Sequence, residues 1–356
     1  MIHLVIGTKA QLIKMVGIIK ELDANNIPYN YIDTGQHSTL TKEIRHQFSI
    51  REPDYKFVKD TTNITSNKEG IPWMIGIFFK SIWNRKKIFQ NDKKGLCLVH
   101  GDTVSTILGA IMGRISGQKV VHVEAGLRTP HLFKPFPEEM IRRITDKMSY
   151  INFALTNDSY NNLSKINAKN ENMRENTLID AVKIAQASNA SAELPEKFIL
   201  VSIHRYESIH SKSRMEFIVN SVLDLAKNNK IVWGLHEPTK NSLIKYNLFK
   251  QIEANPNITL RGLFPYFDFI NAISRSKFLI TDGGGPQDET RYLNIPCLLM
   301  RTENERPEHT HIYQSEFKKE NVDHFINNIH SFQALPTEAT QPSKEIVKIP
   351  IKELAH

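Results

Sequence analysis

Apolar positions recur along this chain in two alternating rhythms. "IHLVIGT" is a short continuous apolar run of strand length. "QLIKMVGIIKELDANN" repeats its apolar residues every three or four positions, and "YNYIDTGQ" is strand-like again. "GLCLVHG", "TVSTILGAIMGRISG" and "KVVHVEAG" form a complete strand–helix–strand unit, followed by the helix "EEMIRRITDKMSYI" and the strand "NFALTN". The rhythm breaks over "ASNASAELPEK" (187–197), a polar, small-residue stretch ended by proline that reads as a linker. It then resumes: the strands "FILVSIH", "KIVWGLH", "NITLRGLF", "KFLITDGGG" and "IPCLLM" alternate with amphipathic helices. The expected fold class is therefore α/β, with two doubly wound Rossmann-like domains facing a cleft. The expected boundaries are 1–186, 187–335 and a C-terminal tail, 336–356, irregular before a last short segment.

Composition narrows this picture only slightly. The 356 residues are 40% hydrophobic and 24% charged, as in soluble globular proteins. No apolar run is long enough to span a bilayer, and the first residues do not read as a signal peptide. Cys97 and Cys297 lie in strand-like runs and suit buried thiols in a reducing compartment, so a cytoplasmic location is expected. The net charge is +8, but no motif for nucleic acid is present. "FFKSIWNRKK" (78–87) concentrates aromatics and cations, and is expected to be a half-buried helix with a solvated basic face, peripheral membrane contact being the alternative.

Candidate chemistry gathers where strands end. In "ITDGGGPQDETRYL", Asp282 closes a strand, Gly283, Gly284 and Gly285 follow, and a helix begins near Pro286. Glycines admit a ligand to the backbone and helix N-terminal N–H groups attract phosphate, so this is a candidate diphosphate turn. Glu289, expected on the helix's first turn, is placed to accept ribose hydroxyls. Gly7 to Lys9 forms a second candidate turn, with Lys9 and Lys14 as phosphate cations. His204, with Arg205 beside it, and His236 follow successive strands. Asp102, Glu124, Glu138 and Arg142 gather acids and a cation at the edge of the first sheet. Crowded carboxylates repel unless a cation or proton separates them, and the crowding is expected to raise the pKa of at least one. Such a set suits abstraction and return of a C–H proton. Glu138 and Glu139 also suit an ordinary helix first turn. No spacing matches a metal site.

At these residues the sequence resembles the non-hydrolysing UDP-N-acetylglucosamine 2-epimerases. The matching blocks run in order through "VHGDTVST", "HVEAGLRT", "PFPEEMIRR", "NTLIDA", "SIHRYES", "TDGGGPQDE" and "ERPE". The resemblance implies a GT-B-like fold, a UDP-sugar substrate, no cofactor, a homodimer, and a role in supplying surface polysaccharide. It implies catalytic roles for Asp102, Glu124, Glu138, Arg142 and His204. It places substrate contacts at Lys9, Lys14, His236, Gly283, Gly284, Gly285, Glu289 and Arg306. The chain departs from the family's usual Arg-Pro-Glu at Lys9, Ala10 and Gln11, from its usual serine at Gly283, and from its glycine at Glu175. The glycine- and glutamine-rich segment that binds an activating UDP-sugar in some members is not recognisable near "TTNITSNKEG". The alternatives are a hydrolysing 2-epimerase, an epimerase of another UDP-2-acetamido sugar, a GT-B glycosyltransferase and a non-catalytic UDP-sugar binder.

Overall fold

Strand residues in the middle of each sheet are buried on both faces, which is why the sequence shows them as continuous apolar runs rather than alternating ones. The computed structural model describes residues 1–59, 67–129, 136–188, 193–304, 309–335 and 341–354. The first sheet contains β1 (Ile2–Ile6), β2 (Tyr29–Asp33), β3 (Tyr55–Lys56), β4 (Leu96–His100), β5 (Lys119–Ala125), β6 (Ile151–Ala154) and β7 (Lys169–Asn172). They pair in parallel in the order β3-β2-β1-β4-β5-β6-β7. The second sheet contains β8 (Phe198–Ser202), β9 (Lys230–Gly234), β10 (Ile258–Arg261), β11 (Leu279–Thr281), β12 (Cys297–Leu299) and β13 (Ile312–Gln314). Its order, β10-β9-β8-β11-β12-β13, is also parallel throughout. Both are doubly wound sheets of Rossmann order, reversing at β1/β4 in one and at β8/β11 in the other.

Three strands went unread in the sequence: β3, β7 and β13. Each lies at a sheet edge, where half-burial and polar residues such as "KNEN" erase the apolar run.

Local chemistry starts the helices. Thr8 caps the helix Lys9–Ala24 and Gln11 reciprocates in a capping box; Thr103 and Thr106 do the same for Val104–Ile115. The helix Lys9–Ala24 packs with Ser38–Gln47 and Pro342–Leu354, whereas Val104–Ile115 packs with Asn67–Trp83 and Glu138–Met148. The two sets share no member, as expected for helices on opposite faces of one sheet.

The chain divides into Met1–Ala181 with Glu338–His356, and Val182–Thr337. This differs from the expected boundaries in two ways. The division falls inside the helix Leu178–Gln186 rather than after it. The last short segment is the helix Pro342–Leu354, and it belongs to the first unit rather than standing apart as a tail. It sits over Gly17, whose missing side chain makes room for Ser343 and Asp180. The Ser343 N–H donates to Asp180 Oδ2 at 3.1 Å, and Ile346 and Val347 are buried.

The helix Asn67–Trp83 also differs from expectation. Ile77 and Ser81 face inward, while Ile71, Met74, Ile75, Phe78, Phe79, Ile82 and Trp83 are exposed, Trp83 to 76%. The outward face is thus apolar, with cations following at Arg85, Lys86 and Lys87. No helix of the described residues is long and apolar enough to cross a membrane.

Ile346→Ala should lower stability by about 2–5 kcal/mol, the usual cost of emptying such a site. Urea unfolding followed by circular dichroism measures this, and an unchanged midpoint would mean the last helix does not hold the first unit together.

Candidate active site

The first cluster is built where β4 and β5 end. Gly101 has a φ of +68°, so the chain turns sharply after His100 and presents Asp102 just before the Thr103 cap. Glu124 lies inside β5, not after it. It occupies a left-handed conformation (φ +69°) where the pairing of β5 with β6 slips between Val123 and Ala125. A bulge re-aims its side chain out of the strand's regular alternation. The helix Glu138–Met148 brings Glu138 and Arg142, one turn apart.

Each of the first two acids meets a cation. Lys14 Nζ donates to both carboxylate oxygens of Glu124, at 2.8 and 2.7 Å, and Arg142 pairs with Asp102. Burial works against the Arg142 charge, but Asp102, with Glu124 and Glu139, outweighs it and raises the guanidinium's pKa. His100 Nε2 is 3.4 Å from Glu124 Oε2; burial pushes this ring down to about 3 against the carboxylate's pull, leaving it neutral at pH 7. The expected repulsion among crowded acids is therefore answered by cations, and Lys14 is turned toward Glu124. Glu138 is different. It makes no ion pair among the described residues, and its Oε2 is buried without a hydrogen-bond partner.

Glu138 and Glu139, alike in sequence, part company in the fold. Glu139 is buried and accepts from Arg143 Nε at 2.6 Å and from the Thr129 N–H at 3.1 Å. It fastens its helix to the loop after β5.

The Gly7–Lys9 turn is not an open phosphate site. The Gly7 and Thr8 N–H groups both donate to Gln11 Oε1, and a side chain at Gly7 would run into Thr34 and Ser105. Lys9 is half-buried and makes no ion pair among the described residues. The Gln11 amide also donates to His100 O at 2.8 Å and Thr106 Oγ1 at 2.9 Å, tying β1's turn to the end of β4. An ionised glutamate at this position could not donate those bonds.

In the second unit the reversal point carries the other cluster. Asp282, fully buried after β11, accepts the backbone N–H groups of His204 and Arg205, each at 3.0 Å. His204 stacks on His236 with ring centroids 4.7 Å apart. Burial and Arg205 lower the His204 pKa against the pull of Asp282. Gly283 is the N-cap, and the helix is Gly284–Leu293, two residues longer at its start than expected. A side chain at Gly283 would come within 2.7 Å of His204 Cε1, whereas at Gly284 and Gly285 it would meet nothing within 4 Å. The turn is thus closed on one side by the histidine pair and open over its first N–H groups. Glu289 falls on the helix's second turn and is buried, and with burial it raises the Tyr266 hydroxyl well above its ordinary pKa. Arg306 lies outside the described residues.

Sequence reasoning missed His100, Gln11, His122, Asp146 and a depression of about 520 Å³ at the end of β10, lined by Arg261, Gly262, Leu263, Phe264, Pro265 and Asp268 among others. One signal was available. "VHVEA" sets a polar ring into a strand that is otherwise buried and apolar.

The comparisons with known proteins agree with one another. The family model described as UDP-N-acetylglucosamine 2-epimerase matches residues 20–346. The UDP-N-acetylglucosamine 2-epimerase of Campylobacter jejuni is 32% identical over 331 residues, covering 86% of this chain and 82% of that protein. The Staphylococcus aureus MnaA structure with UDP has a TM-score of 0.82 at 27% identity, covering 99% of this chain and 96% of that one. The UDP-GlcNAc 2-epimerase of Methanocaldococcus jannaschii, in complex with UDP-GlcNAc and UDP, has a TM-score of 0.80 at 26% identity, covering 99% of each chain. By the match of residues 20–346 and by its relatives, the chain belongs to the UDP-N-acetylglucosamine 2-epimerase family.

Proposed function

We propose that this chain is a non-hydrolysing 2-epimerase that interconverts UDP-GlcNAc and UDP-ManNAc, supplying a precursor of surface polysaccharide. The observation that carries the reading is the set Asp102, Glu124 and Glu138, in which two acids are held by cations and the third keeps a buried oxygen without a partner. A carboxylate takes the proton from C2 while the C1–O bond to UDP breaks, the diphosphate leaving with the electron pair. The sugar becomes a 2-acetamidoglucal. A proton returned to the opposite face of C2 by a different group, with re-addition of UDP at C1, completes the inversion. The open N–H groups after Gly283 suit the departing diphosphate, and its growing negative charge is favoured at a helix N-terminus. A hydrolysing enzyme would differ in the last step: water rather than UDP would add at C1 as C2 is protonated, giving free ManNAc and leaving UDP in solution.

We propose also that the working form is a homodimer. The exposed apolar face from Ile71 to Trp83 favours this, since a two-fold axis sets one such face against an identical one.

In heavy water, UDP-GlcNAc should yield UDP-ManNAc carrying deuterium at C2, with no net release of UDP. Asp102→Asn and Glu138→Gln should each fold, bind UDP and lose turnover by about 10²–10⁴-fold. Labelled free ManNAc with accumulating UDP would convert the reading to the hydrolysing one; no C2 label in any UDP-2-acetamido sugar would end it.

Gly284→Val should leave the melting curve unchanged, because the protein offers its side chain no clash, yet weaken UDP binding measured by calorimetry at least tenfold. Equal affinity would put the diphosphate elsewhere.

Sedimentation velocity should show a dimer that Ile75→Lys with Trp83→Lys converts to a folded monomer. A wild-type monomer that co-sediments with anionic vesicles would instead assign this face to a membrane surface.

A further inference from the structure

His122 lies in the middle of β5 with its side chain fully buried. Its Nδ1 is 2.7 Å from Asp146 Oδ1, and its Nε2 is 2.8 Å from the carbonyl oxygen of Gly101. The carbonyl can only accept. Asp146 is an anion: burial opposes its charge, but His122 and Arg128 together hold it below the usual carboxylate range. Its second oxygen already accepts from Arg128 Nη2 at 2.7 Å and from the Gly126 N–H at 3.3 Å. A neutral imidazole has one N–H and one lone pair, so one of the two contacts would set lone pair against lone pair inside the protein. Only the doubly protonated ring donates to both. The surrounding charges accommodate this: Asp146 opposes His122 and Arg128, and Glu124 opposes Lys14, with His100 neutral between them.

What this ring joins is the reason to attach a function to it. Gly101 is held from both ends, its N–H donating to Val123 O at 2.9 Å and its carbonyl accepting from His122. The next residue is Asp102. On the other side, Asp146 stands on the same helix as Arg142 and Glu138, at successive four-residue steps that share one face. One buried ring therefore links the turn carrying Asp102 to the helix face carrying its partner Arg142 and the unpaired Glu138. We infer that His122 is a positioning residue, held as an imidazolium clamped between Gly101 and Asp146, that sets the spacing of Asp102, Arg142 and Glu138. The inference rests on the proposed proton-transfer roles of Asp102 and Glu138.

Protein labelled with ring-¹⁵N histidine should show, at pH 8, one ring with both nitrogens protonated, when exposed histidines have lost their second proton. That signal should be missing from His122→Gln and should move to the neutral form in Asp146→Asn. Both variants should bind UDP within about twofold of wild type and lose about 10–100-fold in kcat, the scale of a misplaced catalytic group. A wild-type spectrum with no doubly protonated ring overturns the inference, as does a kcat within about threefold of wild type in either variant. Should His122→Gln fail to fold, the wild-type spectrum and Asp146→Asn decide. A wild-type protein that turns over no UDP-2-acetamido sugar overturns the epimerase reading, and this inference with it. A neutral His122 ring in an active enzyme overturns this inference alone.

Discussion

Parallel pairing of β1 with β4, and of β8 with β11, is the constraint from which both candidate sites follow. At each pairing the strand order reverses, so the helices that succeed the two strands leave on opposite faces and the strand ends are left uncovered. Whatever residues follow those strands must satisfy their own backbone or face solvent. In the first unit Gln11 closes the turn after β1, and the end of β4 is left to Asp102. In the second, Asp282 closes the turn after β8 by accepting two N–H groups, and the end of β11 is left to the glycines. The same topology thus yields an acidic edge in one unit and an open, N–H-rich edge in the other.

Charge then decides what each acid does. Taking a carboxylate out of water is costly unless a cation or several donors meet it. Glu139 and Asp146 are fully buried and are met from several sides, so they act as struts. Asp102 pairs with Arg142 and Glu124 with Lys14, long flexible cations that can shift when a charged molecule enters. Glu138 is met by none among the described residues, and its Oε2 has no hydrogen-bond partner there. This gradient, from fully satisfied to unsatisfied, separates the carboxylates that fasten the fold from those left open to a further partner, where residue type alone does not.

The fold was legible wherever burial on both faces wrote a continuous apolar run, and so were the residues that end those runs: Asp102, His204, His236 and Asp282. Edge strands such as Lys169–Asn172 were not, because half-exposure leaves no such run. Nor was the return of Pro342–Leu354 to the first unit, whose contacts with Gly17 and Asp180 lie far away in sequence. Long-range pairs are invisible for the same reason: Lys14 reads as a phosphate cation until the fold brings Glu124, 110 positions on, against it. The helix Asn67–Trp83 has apolar residues on enough of its circumference that periodicity could not say which face turned outward.

Two departures from the family's usual residues now have physical reasons. Gln11 in place of glutamate keeps the capping bond that an acid could make, and adds two donated bonds that an acid could not, one to His100 O at β4's end and one to Thr106 Oγ1 on the helix that follows. Gly283 in place of serine answers to the histidine pair: with His204 stacked on His236, even a Cβ at 283 would press to 2.7 Å of the ring. A side chain at 283 would therefore require the His204 ring to move. What remains at this edge is backbone N–H donors and two aromatic rings, one of them kept neutral by burial. Such an edge offers an anion backbone geometry and the helix's own field rather than side-chain charge.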